Sequence, residues 1–432
     1  MNRRSAGGTG PRSTSAGRAV ALDSGVGALV VKVGRYRLHH GGLAVVRTLG
    51  RAGVPVYAVQ EDRFTPTARS RYLTGGFVWP ASWPAGAPDR FVDGLRAIGR
   101  QLRSPCVLVP TDDKAAILLN DHTAELPELF RLPAARPGLY RAAVDKRDWA
   151  GLAARAGLPA PDGTPLSCPV PTAALADVRL PAVVKRIEPA LLADGSRSFS
   201  TLLVRSPDQL RAALQDRTTG PYDVLVQELV TGDDWLYHGY CDPTSRALVS
   251  FTGRKLRSRP PHAGETAFAR AESNDDLRGR VEQFLQMMSY VGPVSMDLRY
   301  DRRADTYRLL DVNPRTGACF RMFVNTYGVD VVRALHLDLS GCEVPHAPQV
   351  DGRTYVVENY DLSARHGYGA AGGSGVGSSV RRAATAERAW IQRDDLLPAA
   401  AAFRQVLTGP GRAASSSRTA TEPRYFPGRG RR

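Results

Sequence analysis

The sequence lacks the features that mark several large classes of protein. Its 432 residues contain no run of about 18 apolar residues, so we expect no transmembrane helix and no membrane partner. The N-terminus carries Arg3 and Arg4 without an apolar stretch behind them, which makes a poor export signal. The five cysteines are scattered without a CxxC pair, which favours neither a disulfide framework nor a zinc knuckle. We therefore expect a protein of the reducing cytoplasm.

Two common functional motifs are also missing. No GxGxxG occurs in the first part of the chain, so a dinucleotide-binding prediction has no basis there. No Ser/His/Asp or Cys/His arrangement typical of nucleophilic catalysis is visible. The chain does have an ordinary globular composition, with 43% hydrophobic and 23% charged residues, and a length that suits two or three domains.

The net charge of +16 is concentrated at the two ends of the chain. Residues 1–22 carry four arginines and no acid, and residues 403–432 carry seven arginines and one glutamate. Segments this rich in Gly, Ser, Pro and Arg cannot bury enough apolar surface to fold. We predict disordered basic tails at 1–27 and 410–432, and we expect deletion of residues 1–22 and 411–432 to leave the melting temperature and the activity nearly unchanged. Nucleic-acid binding through the arginines is the alternative, but we expect no nucleic-acid partner because few aromatics could stack on bases.

Strands and helices alternate in the first part of the chain. Buried strand patterns occur at residues 28–33, 54–59 and 105–110, with helical periodicity between them. This alternation favours a parallel sheet with helices on its faces. We therefore predict an α/β domain at 28–140, whose strand ends form one wall of a cleft.

From about residue 145 the pattern changes to short strands joined by polar turns. These strands are predicted at residues 180–185, 200–204, 224–230, 235–241 and 247–254. Such a pattern is typical of an α+β domain, which we place at 141–343. A C-terminal extension with a Gly-rich loop follows at 344–409.

The segment 292–315 contains the most informative chemistry. It is predicted to form two strands joined by a polar turn, and a turn near residue 304 places Asp297 directly opposite Asp311. Opposed residues have Cβ atoms about 4.5–5.5 Å apart, where two carboxylates repel each other unless a cation joins them. Asn313 lies on the same face and adds a third oxygen ligand. The three suit a magnesium site completed by substrate phosphates, although two solvated aspartates flanking a turn are the alternative.

At these residues the sequence resembles the ATP-grasp superfamily, whose fingerprint is an acidic residue on one strand and (Glu/Asp)-x-Asn-Pro-Arg on the next. Asp297 supplies the first part, and D-V-N-P-R beginning at Asp311 supplies the second. The resemblance covers roughly residues 28–341. It is strongest to the carboxylate–amine ligases, which include D-aspartate ligases and carbamoyl-phosphate-synthase-like members. It implies a parallel-sheet pre-ATP-grasp domain followed by an ATP-grasp domain.

The resemblance also implies roles for individual residues. Nucleotide binding is implied for Lys146, Lys185, Gln227, Glu228, Leu229, Val230 and Asp234. The lysines suit the α- and β-phosphates, and the segment 227–230 would present backbone groups to adenine as an edge strand does. Asp234, with Glu228 and Asp233 as alternatives, would accept the ribose hydroxyls. The implied metal ligands are Asp297, Asp311 and Asn313, for Mg²⁺ or alternatively Mn²⁺, and the implied catalytic residues are Arg315 and Arg254.

The implied activity is an ATP-dependent ligase that joins a small carboxylate to an amine through an acyl phosphate. Its substrates would be small molecules, and a homodimer is left open. A non-catalytic nucleotide-binding protein of the same fold is the alternative. Two positions depart from the family pattern: Asp311 stands where glutamate is commoner, and the turn at 194–198 has one glycine where relatives have several.

Overall fold

The fold was analysed in a computed structural model of the chain. The structure describes residues 20–34, 36–79, 88–170, 175, 178–186, 201–214, 222–364, 386–408 and 423–429. Most of the predicted N-terminal tail, the turn at 194–198 and the Gly-rich loop at 367–379 lie outside these residues.

The described residues form three sheets. The strands are β1 (Gly27–Val31), β2 (Val56–Gln60), β3 (Gly75–Val78), β4 (Cys106–Pro110), β5 (Phe130–Arg131), β6 (Gly163–Cys168), β7 (Ala182–Arg186), β8 (Thr201–Val204), β9 (Tyr222–Glu228), β10 (Gly232–Cys241), β11 (Ala247–Arg259), β12 (Glu265–Ala271), β13 (Gly292–Asp301), β14 (Thr306–Asn313), β15 (Thr354–Val356), β16 (Glu387–Arg388) and β17 (Arg424–Pro427). The helices are α1 (His40–Arg51), α2 (Pro88–Gln101), α3 (Asp113–Asp121), α4 (Leu139–Val144), α5 (Lys146–Arg155), α6 (Pro207–Leu214), α7 (Asp275–Met287), α8 (Val331–Leu339), α9 (Glu358–Ala364) and α10 (Leu397–Thr408).

The first sheet has the strand order β17-β3-β2-β1-β4-β5, and β1 to β5 run parallel. Every residue of β1 and β4 is buried, which explains their continuous apolar runs, since helices cover both faces. Leu43 and Val46 of α1 pack on one face, and Phe91 and Leu95 of α2 pack on the other. The predicted parallel sheet is confirmed.

Strand β17 contradicts part of the predicted C-terminal tail. It pairs antiparallel with β3, so the prediction of disorder is wrong for Arg424–Pro427. A Cβ atom on Gly76 would lie 2.2 Å from the Phe426 ring, and one on Gly75 would lie 2.6 Å from the Tyr425 ring. The two rings therefore pack into the space that the glycines leave open. The composition of the C-terminal segment alone did not indicate that it pairs with β3.

Deleting residues 423–432 should lower the melting temperature. The deletion removes β17 and uncovers the edge of β3 together with the core beneath Phe426. A loss of about 2 kcal/mol, which we expect from that burial, corresponds to roughly 2–3 °C in a chain of this size. The measurement is thermal unfolding beside a control that lacks only residues 430–432, in which β17 stays intact. Equal melting temperatures for the two truncations would contradict the prediction.

The other two sheets form the α+β part of the molecule. One has four antiparallel strands in the order β6-β9-β7-β8. The other has seven strands in the order β14-β13-β10-β11-β12-β15-β16, all antiparallel except the last pair. The predicted fold class, α/β combined with α+β, is confirmed. The predicted C-terminal extension supplies β15 and β16, so it completes this sheet.

A shared core joins the first and the seven-stranded sheets. It contains Val45 and Leu49 of α1, Val332 and Leu335 of α8, and Phe251 of β11. Because one core spans both sheets, the carboxyl ends of β1 and β4 are held beside the face of the seven-stranded sheet that carries the predicted site. Among the described helices, none has both the length and the apolar composition that crossing a membrane requires.

A buried arginine ties the C-terminal segment to the first domain. Arg47 of α1 contacts Asp395, with 2.9 Å between Nε and Oδ2, and each side chain is only 2% exposed. Its Nη1 donates to the Ala389 carbonyl, and its Nη2 donates to the carbonyls of Trp390 and Asp395, all at 2.9 Å. Asp395 also accepts from the Ser70 hydroxyl at 2.7 Å. Burial lowers the pKa of Arg47 although Asp395 acts to raise it.

Candidate active site

The β13–β14 hairpin brings the two predicted acidic ligands together. Asp297 pairs directly with Asp311, as the sequence arithmetic predicts, and Ser295 pairs with Asn313. The register shifts immediately after Asp297, because Leu298 pairs with Leu309. A bulge at Leu310 causes the shift, and bulges often reorient side chains next to functional sites.

Three lysines surround this carboxylate pair. Lys146, at the start of α5, has its Nζ 3.4 Å from Asp311 Oδ1. Lys185, near the end of β7, donates to the Leu310 carbonyl at 3.0 Å. Lys255, on β11, forms an ion pair with Asp297 and is 9% exposed. The structure thus places lysines from three separate elements at one point.

The pKa directions agree with a densely charged site. Burial, followed by repulsion from Lys146, lowers the pKa of Lys185 to about 7. Burial acts to raise the pKa of Asp311, but Lys146 and Lys185 outweigh it and hold the pKa below its usual value. Burial acts to lower the pKa of Lys255, and Asp297 reverses that effect. Asp297 therefore faces a charged ammonium group.

Lys255 was missed in the sequence, and the prediction for its neighbour Arg254 is wrong. On β10, Leu236 pairs with both Gly253 and Asp297, so Gly253 and Lys255 share the face that carries Asp297. Arg254 points to the opposite face. There it pairs with Asp233 at 2.8 Å and lies over the ring of Trp235. Arg254 therefore cannot contact an acyl phosphate at the carboxylate pair, and the strand register was the signal that would have identified Lys255.

Asn313 and Arg315 lie beside the aspartates. Asn313 donates from Nδ2 to the Ser295 carbonyl at 3.3 Å, and its Oδ1 accepts from Arg315 Nη2 at 3.2 Å. Arg315 also places Nε 2.9 Å from Asp113 Oδ1, at the start of α3 in the first domain. Burial acts to lower the pKa of Arg315, but Asp113, Tyr36, Asp112 and Glu265 together outweigh it and raise the pKa. Asp113 is a second neighbour that the sequence reasoning did not assign.

The segment predicted to contact adenine is only partly available. Strand β9 lies between β6 and β7, so the prediction of an edge strand is wrong for Gln227 and Glu228. The Glu228 amide donates to the Asp162 carbonyl at 2.9 Å, and the Gln227 side chain is buried. Leu229 and Val230 follow the end of the strand, and the Val230 carbonyl accepts from Arg299 at 2.8 Å.

The register separates Asp234 from Asp233. Asp234 lies two residues before Leu236 and therefore shares the face of Asp297, whereas Asp233 lies on the opposite face with Arg254. Asp234 accepts from Nε of the buried Arg299 at 2.6 Å. Of these two neighbouring aspartates, Asp234 is thus the one on the side of the site.

The residues of the site suit a magnesium ion bound together with phosphates. Asp297 and Asp311 lie opposite each other, and in this structure Lys255 and Lys146 supply the positive charge that the two carboxylates need. The donors are carboxylate and amide oxygens, which Mg²⁺ prefers. No group of three or more His, Cys, Asp or Glu side chains in the described residues could hold a metal by itself.

Comparison with known proteins agrees with this geometry. No family model matches the sequence. A stretch of 116 residues is 26% identical to the D-aspartate ligase of Enterococcus faecium strain Aus0004, covering 26% of this chain and 27% of that ligase. The chain thus matches little more than a quarter of that relative's length. Among solved structures, the ADP complex of an N5-carboxyaminoimidazole ribonucleotide synthetase superposes with a TM-score of 0.54 at 10% identity, covering 78% of this chain and 82% of that one.

A second solved structure extends the comparison. L-amino acid ligase from Bacillus licheniformis superposes with a TM-score of 0.50 at 15% identity, covering 72% of this chain and 73% of that one. The three sheets, the opposed aspartates and these superpositions define the class: the chain has the ATP-grasp fold.

Proposed function

We propose that this protein is an ATP-dependent carboxylate–amine ligase. The observation that supports this most directly is the convergence on one point of Asp297, Asp311 and three lysines. A site of this kind acts through positioning and charge neutralisation, as phosphoryl transfer requires. The partial match to a D-aspartate ligase and the fold shared with an L-amino acid ligase support an amino acid as one substrate.

The proposal assigns the nucleotide to the space between the four-stranded and the seven-stranded sheets. Lys146 and Lys185 would neutralise the phosphates, and the backbone at 229–230 would face the adenine. Asp234 would accept hydrogen bonds from the ribose hydroxyls in place of the one that Arg299 now donates to it. Asp297, Asp311 and Asn313 would hold Mg²⁺ or Mn²⁺, which would withdraw charge from the phosphates.

The reaction proceeds in two displacements. A substrate carboxylate oxygen attacks the γ-phosphorus of ATP, and the bond to the β-phosphate oxygen breaks, giving an acyl phosphate and ADP. The amine nitrogen then attacks the acyl carbon, loses a proton and expels inorganic phosphate, giving the amide. Arg315 would stabilise charge on the transferring phosphoryl group, and Lys255 would take the place of the wrongly assigned Arg254.

The reaction consumes ATP, which the cytoplasm supplies, and the five cysteines are free in this structure. We therefore propose the cytoplasm as the site of action. We propose no nucleic-acid or membrane partner.

The products formed from ATP test this proposal. Incubation of the protein with MgATP and a panel of amino acids, followed by nucleotide separation, should give ADP and phosphate in step with amide formation. The cations proposed around the phosphate chain favour displacement at the γ-phosphorus.

Three results would contradict the proposal. AMP and pyrophosphate as the main products would mean attack at the α-phosphorus. Nucleotide binding without turnover for any substrate pair would indicate the non-catalytic alternative. Salt-sensitive binding of nucleic acid by the arginine-rich ends would indicate instead that the protein is a nucleic-acid binder.

A further inference from the structure

Arg315 lies at a boundary between two parts of the molecule. Its Nη2 and Nη1 donate within its own loop, to Asn313 Oδ1 at 3.2 Å and to the Thr316 carbonyl at 3.3 Å. Its Nε lies 2.9 Å from Asp113, which belongs to the first domain. The guanidinium group is therefore held on one side by the loop after β14 and on the other side by α3.

The backbone that carries Asp113 is firmly fixed. The preceding residue, Asp112, caps α3 by accepting from the Ala115 amide at 2.7 Å. Its other carboxylate oxygen accepts from the amides of Val33 at 2.9 Å and Gly34 at 2.8 Å. The Tyr36 hydroxyl donates to the same oxygen at 2.8 Å. Four hydrogen bonds to one side chain thus fix the start of α3, and with it the position from which Asp113 reaches Arg315.

We propose that Asp113 is a positioning residue that holds the Arg315 guanidinium group beside the phosphate site and competes with the γ-phosphate for it. This inference rests on the proposed function, because that function gives Arg315 its role. The carboxylate of Asp113 is 38% exposed and Arg315 is 21% exposed, so an incoming anion can reach the pair. An arginine already paired with a carboxylate attracts a phosphate less strongly than an arginine without such a partner.

This arrangement predicts that loss of the Asp113 carboxylate affects ground-state binding and reaction rate in opposite directions. While Asp113 restrains Arg315, the arginine contributes little to binding of the substrate's γ-phosphate and keeps its interaction for the transition state. Without the carboxylate, the arginine should move toward the γ-phosphate of bound ATP. Ground-state binding would then become stronger while the reaction becomes slower.

The test compares the affinities of two nucleotides. Wild type and Asp113→Asn are titrated calorimetrically with the Mg²⁺ complexes of ADP and of the β,γ-imido analogue of ATP. Asp113→Asn should bind the analogue about three- to tenfold more tightly, whereas its affinity for ADP should change less than twofold, because ADP has no γ-phosphate. Its kcat for ADP release should fall at least tenfold. Asp113→Glu, which keeps the charge, should recover most of both properties.

Asp121→Asn is the matched control. Asp121 ends the same helix and pairs with Arg141 at 2.7 Å, away from the site, so its replacement should change neither affinity nor kcat. In an Arg315→Ala background, Asp113→Asn should have no further effect on either quantity, because the carboxylate is proposed to act only through that arginine.

Several outcomes would overturn the proposal: unchanged binding of the analogue, weaker binding of the analogue, or an Asp113→Asn effect that persists in the Arg315→Ala background. Loss of the folded state in Asp113→Asn would do the same, since the proposal gives Asp113 no role in stability. If wild type releases no ADP with any substrate pair, the proposed ligase function fails. The binding comparison would still decide the role of Asp113.

Discussion

Asp311→Asn should remove Mg²⁺-dependent turnover and leave the fold intact. The substitution keeps the size of the side chain but removes one of the two opposed carboxylate charges, so the site loses its affinity for a divalent cation. We expect kcat for ADP release to fall by about 10³-fold or more, which corresponds to roughly 4 kcal/mol of barrier. Because the side chain is 45% exposed at the end of β14, the melting temperature should change little.

Asp305→Asn provides the control for the same chemical change in the same hairpin. Asp305 lies in the turn with φ of +49°, a conformation that asparagine tolerates well, and its contact is with the Tyr300 hydroxyl. Its replacement should leave the rate unchanged. Activity of Asp311→Asn within about threefold of wild type would be less than 1 kcal/mol of barrier and would refute the assignment of Asp311 as a metal ligand.

Arg47→Met should destabilise the protein more than any surface change. It removes the positive partner of Asp395 from a contact in which both side chains are 2% exposed, and it leaves three backbone carbonyls without their donor. Breaking a buried ion pair from one side costs about 3–5 kcal/mol, because the remaining charge stays buried. Denaturant and thermal unfolding measure the loss.

Arg51→Met, one helical turn further along α1, is the comparison. Arg51 pairs with Asp394 at 2.7 Å, but Asp394 is 42% exposed, so the pair is partly screened by solvent and should contribute about 1 kcal/mol or less. If the two substitutions destabilise equally, the buried contact does not fasten the C-terminal segment in the way described.

The hairpin that carries the acidic ligands could be predicted because its register is local. Centring the turn near residue 304 pairs Asp297 with Asp311, and the structure has the same pair. The bulge at Leu310 was not predictable in this way. It lies between the turn and the aspartates and shifts the pairing by one residue, so that Asp311 rather than Leu310 faces Asp297. The Leu310 carbonyl accepts a hydrogen bond from Lys185, which belongs to a different sheet.

The contacts that were missed are those made between distant elements. Whether Arg254 or Lys255 faces the site depends on how β11 pairs with β10, and the sequence pattern of β11 alone does not determine that pairing. Likewise, β9 has the composition of many strands, and only its position between β6 and β7 shows that it is not an edge. Composition also predicted disorder wrongly for β17, because it did not show that two aromatic residues among arginines and glycines pack against a pair of glycines on β3.

The pairing of β17 with β3 has a consequence for biosynthesis. Strand β3 leaves the ribosome several hundred residues before Arg424–Pro427 are made, so the sheet begins to form with one edge uncovered. An uncovered edge can pair with another chain. Nascent chains that stall before β17 is translated should therefore associate with one another or recruit chaperones, and completed chains should not. Slow translation through the C-terminal segment would lengthen this vulnerable period, since elongation proceeds at about 5–20 residues per second.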